Sequence, residues 1–157
     1  MTLALALATW IAAVASQAST CEAAGRFLTK ERSMVAVTEP DTIDDWRTGK
    51  RLPGCRVTAA GLTAIGIAKE AAHFYELLRA VGWVRTPDPR DSPNEASLRF
   101  RKSEVDCLFN VYTGGLLNTD AEIRVSESVT PTRSHARYGV FVMCVPALPA
   151  QPRLHGG

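Results

Sequence analysis

Four cysteines constrain the fold of this chain more than any other feature of its sequence. The chain has 157 residues, and Cys21, Cys55, Cys107 and Cys144 are spread across most of it without a Cys-x-x-Cys pair. That spacing disfavours a zinc knuckle and a thioredoxin-type redox site. In an oxidising compartment, an even number of widely spaced cysteines predicts two structural disulfide bonds, with three pairings possible from the sequence alone.

The first residues of the chain indicate such a compartment. Residues 3–15 form an uncharged apolar run that ends in small residues, which is typical of a signal-peptide core. The run is too short to cross a bilayer, because a membrane-spanning helix needs about 20 apolar residues. We expect a signal peptide over residues 1–18 and a bacterial protein exported to the periplasm or the medium. The run departs from the signal-peptide pattern in lacking a positive n-region, since no Lys or Arg precedes Arg26. The alternative is a buried N-terminal helix.

Cys21 leaves a second interpretation open because it follows the apolar run closely. A bacterial lipoprotein carries its lipid on a cysteine in that position, which would anchor the protein in the envelope. The preceding residues Ala18-Ser19-Thr20 match the lipoprotein pattern poorly. We therefore favour a disulfide at Cys21 over a lipid.

Composition and charge exclude some classes of partner. The 18 Lys and Arg residues nearly balance the 16 Asp and Glu residues, which leaves a formal net charge of +2. Such a balance provides no basic field for nucleic acid. No other stretch is apolar for long enough to span a membrane, so we expect no transmembrane helix in the mature chain.

The strongest periodic pattern predicts one amphipathic helix between residues 63 and 82. Its apolar residues recur at helical spacing: Ile67, Ala71, Phe74, Leu78 and Val81. Gly82 is the expected helix stop, and Trp83 is expected to fold back as the hydrophobic contact of that cap.

Around this helix the apolar residues alternate, which predicts strands. A short strand begins near residue 53, a hairpin covers residues 98–112, and a further strand covers residues 138–145. We therefore predict an α+β domain over residues 53–146, with the order strand, helix, strand, strand, strand. In this prediction, one helix packs against a three- to four-stranded antiparallel sheet, and two disulfide bonds cross-link the domain.

The segments on either side of this domain have weaker patterns. Residues 19–52 are expected to have weak structure, with a short strand at 34–37 and a capped helical turn at 41–46. Residues 147–157 are expected to form a disordered tail.

The segment 121–127 decides which disulfides are possible. If it is an edge excursion, the strands at 106–112 and 138–145 pair antiparallel, with Cys107 opposite Cys144 and Tyr112 opposite Gly139. If it is a full strand of a meander, the two cysteines lie about 20 Å apart. We favour the first arrangement because residues 126–136 are polar, and Cys21 then pairs with Cys55 by elimination.

A long polar loop at residues 84–96 is the first candidate for a contact surface, because loops of that length in compact domains tend to be functional. The alternative interpretation is that this loop is an insertion with no functional role. The candidate binding residues in it are Arg85, Asp88, Arg90, Asp91 and Asn94.

Motifs for catalysis or phosphate binding are absent from the sequence. His73 and Glu76 lie three residues apart on the predicted helix, which gives two ligands where a stable metal site needs three or four. We therefore predict no catalytic residue, no metal and no cofactor. The sequence favours a non-enzymatic module that binds a protein or a cell-envelope component through residues 84–96 and 113–137. The alternative is a small exported hydrolase that assembles residues such as His73, Glu76 and Asp106.

Overall fold

A six-stranded antiparallel sheet organises residues 19–86 and 97–148, which are the residues that the computed structural model describes. In chain order the strands are β1 (Val35–Asp45), β2 (Lys50–Thr63), β3 (Val84–Arg85), β4 (Ser97–Lys102), β5 (Val105–Tyr112) and β6 (Ala136–Pro146). Their order across the sheet is β1-β2-β6-β5-β4-β3. The helices are α1 (Glu22–Arg26), which continues into a π-helical turn (Phe27–Glu31), α2 (Ile67–Ala80) and α3 (Asp120–Glu127).

The main core lies between the sheet and the helices α1 and α2. Phe74 of α2 is fully buried, and its ring meets Phe27 edge-on at a centroid distance of 5.2 Å. The ring of Phe109 on β5 lies 6.0 Å from that of Phe74 and 5.2 Å from that of Trp83. The predicted apolar stripe of α2 therefore faces the sheet.

Helix α2 ends as its sequence predicts. Gly82 has a φ of 88°, a left-handed conformation that glycine adopts without strain. Its N–H donates to the carbonyl of Arg79 at 3.0 Å, and the N–H of Trp83 donates to that of Leu78 at 3.1 Å. These two bonds form a Schellman cap and turn the indole of Trp83 into the core.

Two disulfide bonds tie these layers together. Cys107 and Cys144 face each other on β5 and β6, and Tyr112 faces Gly139 at the other end of the same pairing. Cys21, at the start of α1, is bonded to Cys55 on β2. Both bonds and the strand register are those that the sequence favours.

Within residues 19–86 and 97–148 the fold is larger than predicted, because the sheet has six strands rather than three or four and three helices are present rather than one. The helical turn expected at residues 41–46 is wrong, because β1 continues to Asp45 and pairs with β2 along its whole length. Residues 19–52 therefore contain α1, the π-helical turn and the first edge strand. Three acidic residues of β1 pair with arginines on β2, as Glu39 does with Arg56 at 3.1 Å.

The further strand considered at residues 121–127 is the helix α3. The Thr119 side chain caps its start by accepting a hydrogen bond from the N–H of Glu122 at 3.2 Å. Ala121 and Val125, one turn apart, are buried, whereas Ile123 is half exposed. Because this segment is not a strand, β5 and β6 remain neighbours in the sheet.

The opposite face of the sheet is partly covered by the tip of the β1–β2 hairpin. β6 pairs only with residues 55–63 of β2, so the hairpin extends beyond it and folds across the face. There the guanidinium of Arg99 lies 5.3 Å from the centre of the Trp46 ring, in a cation–π contact. Gly54 allows the hairpin to cross the sheet in this way, since a Cβ at this position would collide with the carbonyl oxygen of Cys144.

The start of the predicted disordered tail is ordered. The N–H of Ala147 donates to the carbonyl of Glu104 at 2.8 Å, and the guanidinium of Arg101 donates to the carbonyl of Leu148 at 3.1 Å. Residues 149–157 lie outside the described residues, as does the apolar run of residues 3–15. In the two described ranges, none of the helices has the length and apolar character needed to cross a bilayer.

Candidate functional site

A groove of about 470 Å³ lies between helix α2 and the strands β4 and β5. We call it the α2 groove. Its volume falls within the range of sites that bind small molecules or short peptide segments. Its apolar lining comes from Ile67, Ala68, Ala71, Ala72, Tyr75, Leu98 and Val111, and its charged lining from Glu76, Arg79 and Arg85.

Small side chains on α2 leave this space open. Phe74 and Leu78 bring the helix onto the sheet, but Ala71 of the same stripe and Ala68 and Ala72 beside it are too short to fill the gap to β4 and β5. Ala68 and Ala72 are exposed, so the groove opens to solvent along the helix.

Tyr75 forms a rigid part of the groove wall. Its ring stacks on that of Phe100 at 5.7 Å, and its hydroxyl donates to the carbonyl of Phe109 at 3.1 Å. Burial raises the pKa of Tyr75, so the hydroxyl stays neutral in the physiological range. The residue therefore offers the groove an uncharged, fixed surface.

The α2 groove has an apolar end and a charged end. The ammonium of Lys102 donates to the carbonyl of Val81 at 2.7 Å, which places the C-terminal end of α2 beside the end of β4. Arg79, in the last turn of α2, and Arg85, on β3, line this end. Ile67, at the first turn of the helix, lines the groove's far end.

The predicted contact loop is only partly described. Val84 and Arg85 form the short strand β3 against β4 instead of belonging to a loop, with Arg85 opposite Phe100. Arg85 is therefore the one predicted binding residue that the described chain assigns to the groove. Asp88, Arg90, Asp91 and Asn94 lie outside the described residues.

The residues of the alternative hydrolase site are not brought together. His73 is exposed on α2, and Glu76 lines the α2 groove. Asp106 is buried on the opposite face of the sheet from Cys107, which belongs to the core beneath α2. Within residues 19–86 and 97–148, no group of three acidic, His or Cys side chains could hold a metal ion.

Asp106 instead belongs to a buried ion network that the sequence did not reveal. Its carboxylate accepts hydrogen bonds from Arg101 at 2.6 and 2.9 Å and from Arg47 at 2.9 Å, and Arg47 also donates to Asp45 at 2.9 Å. Burial opposes ionisation of Asp106, but the bonds from both arginines outweigh it and lower the pKa of the carboxyl. The network therefore holds the hairpin tip against β5.

Glu122 anchors the connection 113–137, the second predicted contact region. Its carboxylate accepts the hydroxyl of Tyr112 at 2.7 Å and backbone N–H groups of residues 116–118 at 2.8 to 3.0 Å. Burial again opposes ionisation, and these bonds outweigh it and lower the pKa of Glu122. The carboxylate is satisfied within the fold, so we assign it a structural role.

Comparison of the chain with protein-family models, with curated proteins and with solved structures finds no match. Function is therefore inferred from the α2 groove and from the sequence features described above.

Proposed function

We propose that this chain is an exported, non-enzymatic binding module whose α2 groove holds an extended apolar segment of a partner protein. The observation that carries the proposal is the groove itself, which is open to solvent, has an apolar floor and concentrates its arginines at one end. Apolar grooves with few polar groups are the usual form of ligand sites.

The length of the α2 groove suits a short peptide. Its lining runs along α2 from Ile67 to Arg79, a distance of about 18 Å at a rise of about 1.5 Å per residue. An extended peptide covers that distance with five or six residues, at about 3.3 Å per residue. Alternate side chains of such a peptide would face the apolar floor.

Two further features support an exported binding module. The two disulfide bonds are typical of oxidising compartments, and the apolar run of residues 3–15 has the character of an export signal. The example residues of the hydrolase alternative do not share one cleft, because the sheet separates Asp106 from His73 and Glu76 on α2.

Peptide binding tests the proposal. Three fluorescein-labelled hexapeptides, with Leu, Val or Phe alternating with Ala, are titrated with the protein while fluorescence anisotropy is followed. We expect at least one dissociation constant well below about 1 mM. Ala72→Trp should weaken binding of that peptide at least tenfold because the indole occupies the groove.

Ala80→Trp is the matched control, since Ala80 is also exposed on α2 but does not line the groove. It should bind like the unsubstituted protein, and thermal unfolding should show both variants folded. The proposal is wrong if none of the peptides binds, or if Ala72→Trp binds as tightly as Ala80→Trp.

A further inference from the structure

We infer that the ligand of the α2 groove is a protein C-terminus, whose α-carboxylate is bound by Arg79 and Arg85. This inference rests on the proposed function, because it specifies which part of a partner protein enters the groove. It also assigns a direction, with the last residue of the ligand at the arginine end and the preceding apolar residues toward Ile67.

The two arginines are available for a ligand. Both are exposed, and their guanidinium groups take part in no hydrogen bond or ion pair within residues 19–86 and 97–148. By contrast, Arg47 and Arg101 are engaged by Asp106. Planar guanidinium groups bind carboxylates with two parallel hydrogen bonds, which provides both affinity and orientation.

The charges of the groove lining favour an anion at this end. Glu76 lies one turn before Arg79, so the three charged groups that line the groove sum to +1. Lys102, near the same end of α2, adds positive charge, and its ammonium is directed to the carbonyl of Val81 and the ring of Trp83. The net positive charge at this end is therefore complementary to a terminal carboxylate.

Glu76 favours a peptide over a fatty acid as the source of that carboxylate. A peptide backbone presents N–H donors along its length, and a carboxylate on the groove wall can accept one of them. The hydrocarbon chain of a fatty acid offers Glu76 no donor. The carboxylate of Glu76 and the two guanidinium groups are thus complementary to the N–H groups and the terminal carboxylate of a peptide.

Matched peptides test the inference. The best apolar hexapeptide is compared with the same peptide amidated at its C-terminus, with the label on the N-terminus of both. We expect amidation to weaken binding five- to thirtyfold. Arg79→Gln and Arg85→Gln should each weaken binding of the free acid and reduce the effect of amidation to less than twofold. Arg124→Gln, an exposed arginine of α3, serves as the control and should change neither value.

The outcomes separate this inference from the proposed function. Equal binding of the free acid and the amide would overturn the C-terminus assignment and leave the groove as a binding site for internal segments. Binding of neither peptide would overturn the proposed function itself. Displacement of the free acid by dodecanoate at a lower concentration than by the unlabelled peptide would assign the groove to an acyl ligand and overturn the peptide assignment.

Discussion

Glu122 shows how one side chain can hold an otherwise irregular part of the chain. Its carboxylate joins the turn before α3 to the hydroxyl of Tyr112 on β5. The ring of Tyr112 in turn lies against Gly139 of β6, where a Cβ would approach the ring to 2.5 Å. The positions of Glu122 on α3, Tyr112 on β5 and Gly139 on β6 therefore depend on one another.

The lowered pKa of Glu122 predicts acid sensitivity. Its pKa in the folded state lies below its ordinary value of 4.5, so the unfolded chain takes up a proton first as pH falls. The stabilisation is complete above about pH 5 and is lost as pH falls through the folded pKa. We expect Glu122→Gln to reduce the free energy of unfolding at pH 7 and to flatten its dependence on pH between 5 and 3.

Urea unfolding at a series of pH values measures this difference. Glu127→Gln, an exposed position on the same helix, should keep the slope of the unsubstituted protein. Equal slopes for Glu122→Gln and Glu127→Gln would contradict the account.

At the scale of elements, the two disulfides differ in what they hold. They close loops of similar length, with sequence separations of 34 and 37, so each is expected to contribute about 3 to 4 kcal/mol through the unfolded state. Cys107 and Cys144 join strands that a full ladder already pairs. Cys21 and Cys55 provide the covalent link between the short helix α1 and the sheet.

Removing the two bonds should therefore have different local effects. In Cys21→Ala/Cys55→Ala, we expect the amides of α1 and the π-helical turn to exchange with solvent at least tenfold faster. In Cys107→Ala/Cys144→Ala, the amides of α1 should keep their native protection relative to the rest of the chain. Hydrogen–deuterium exchange measures both, and unchanged exchange of α1 in the first variant would contradict the assignment.

The elements that can be predicted from the sequence are those in which apolar residues repeat regularly over several residues. The apolar stripe of α2 and the alternation of apolar residues in β4, β5 and β6 both arise because one face of each element is buried. Such a pattern can be recognised from residues that are close together in the sequence. Only the start of β1 is predicted, as the short strand at residues 34–37, because Pro40 and the acidic residues around it are typical of turns. The arginine partners of Glu39, Asp41 and Asp44 lie on another strand. Helix α3 has only two turns, too few to separate a helical period from an alternating one.

Little of the candidate site could be predicted, because it is formed by residues that are far apart in the sequence. The sequence singles out Arg85 and Glu76, but the groove depends on small alanines within and beside the helix stripe and on where α2 lies above β4 and β5. The position of a helix on a sheet depends on packing between distant segments. The ion network of Asp106 is likewise formed by residues from three parts of the chain.

Across the whole molecule, the sheet separates the proposed binding face from a structural face. The α2 groove lies on one side, and the hairpin tip with its ion network lies on the other. Arg47→Leu should leave Asp45 and Asp106 short of a partner and reduce the free energy of unfolding by about 3 to 5 kcal/mol. Arg51→Leu, which removes an exposed ion pair with Asp44, should cost about 1 kcal/mol or less.

Peptide affinity at the α2 groove should be the same in these two variants under conditions where both are folded, because the network lies across the sheet. Urea unfolding and fluorescence anisotropy measure the two quantities. Similar stabilities for the two variants would contradict a structural role of Arg47.

Chemical-shift mapping of the ¹⁵N-labelled protein during titration with the free-acid hexapeptide tests the proposed binding site most directly. We expect saturable shifts of the backbone amides of residues that line the α2 groove, such as Ala71, Ala72 and Leu98. No comparable change is expected at Trp46 on the hairpin tip. Saturable shifts centred on the hairpin tip, or no saturable shifts at all, would contradict the assignment of the α2 groove as the binding site.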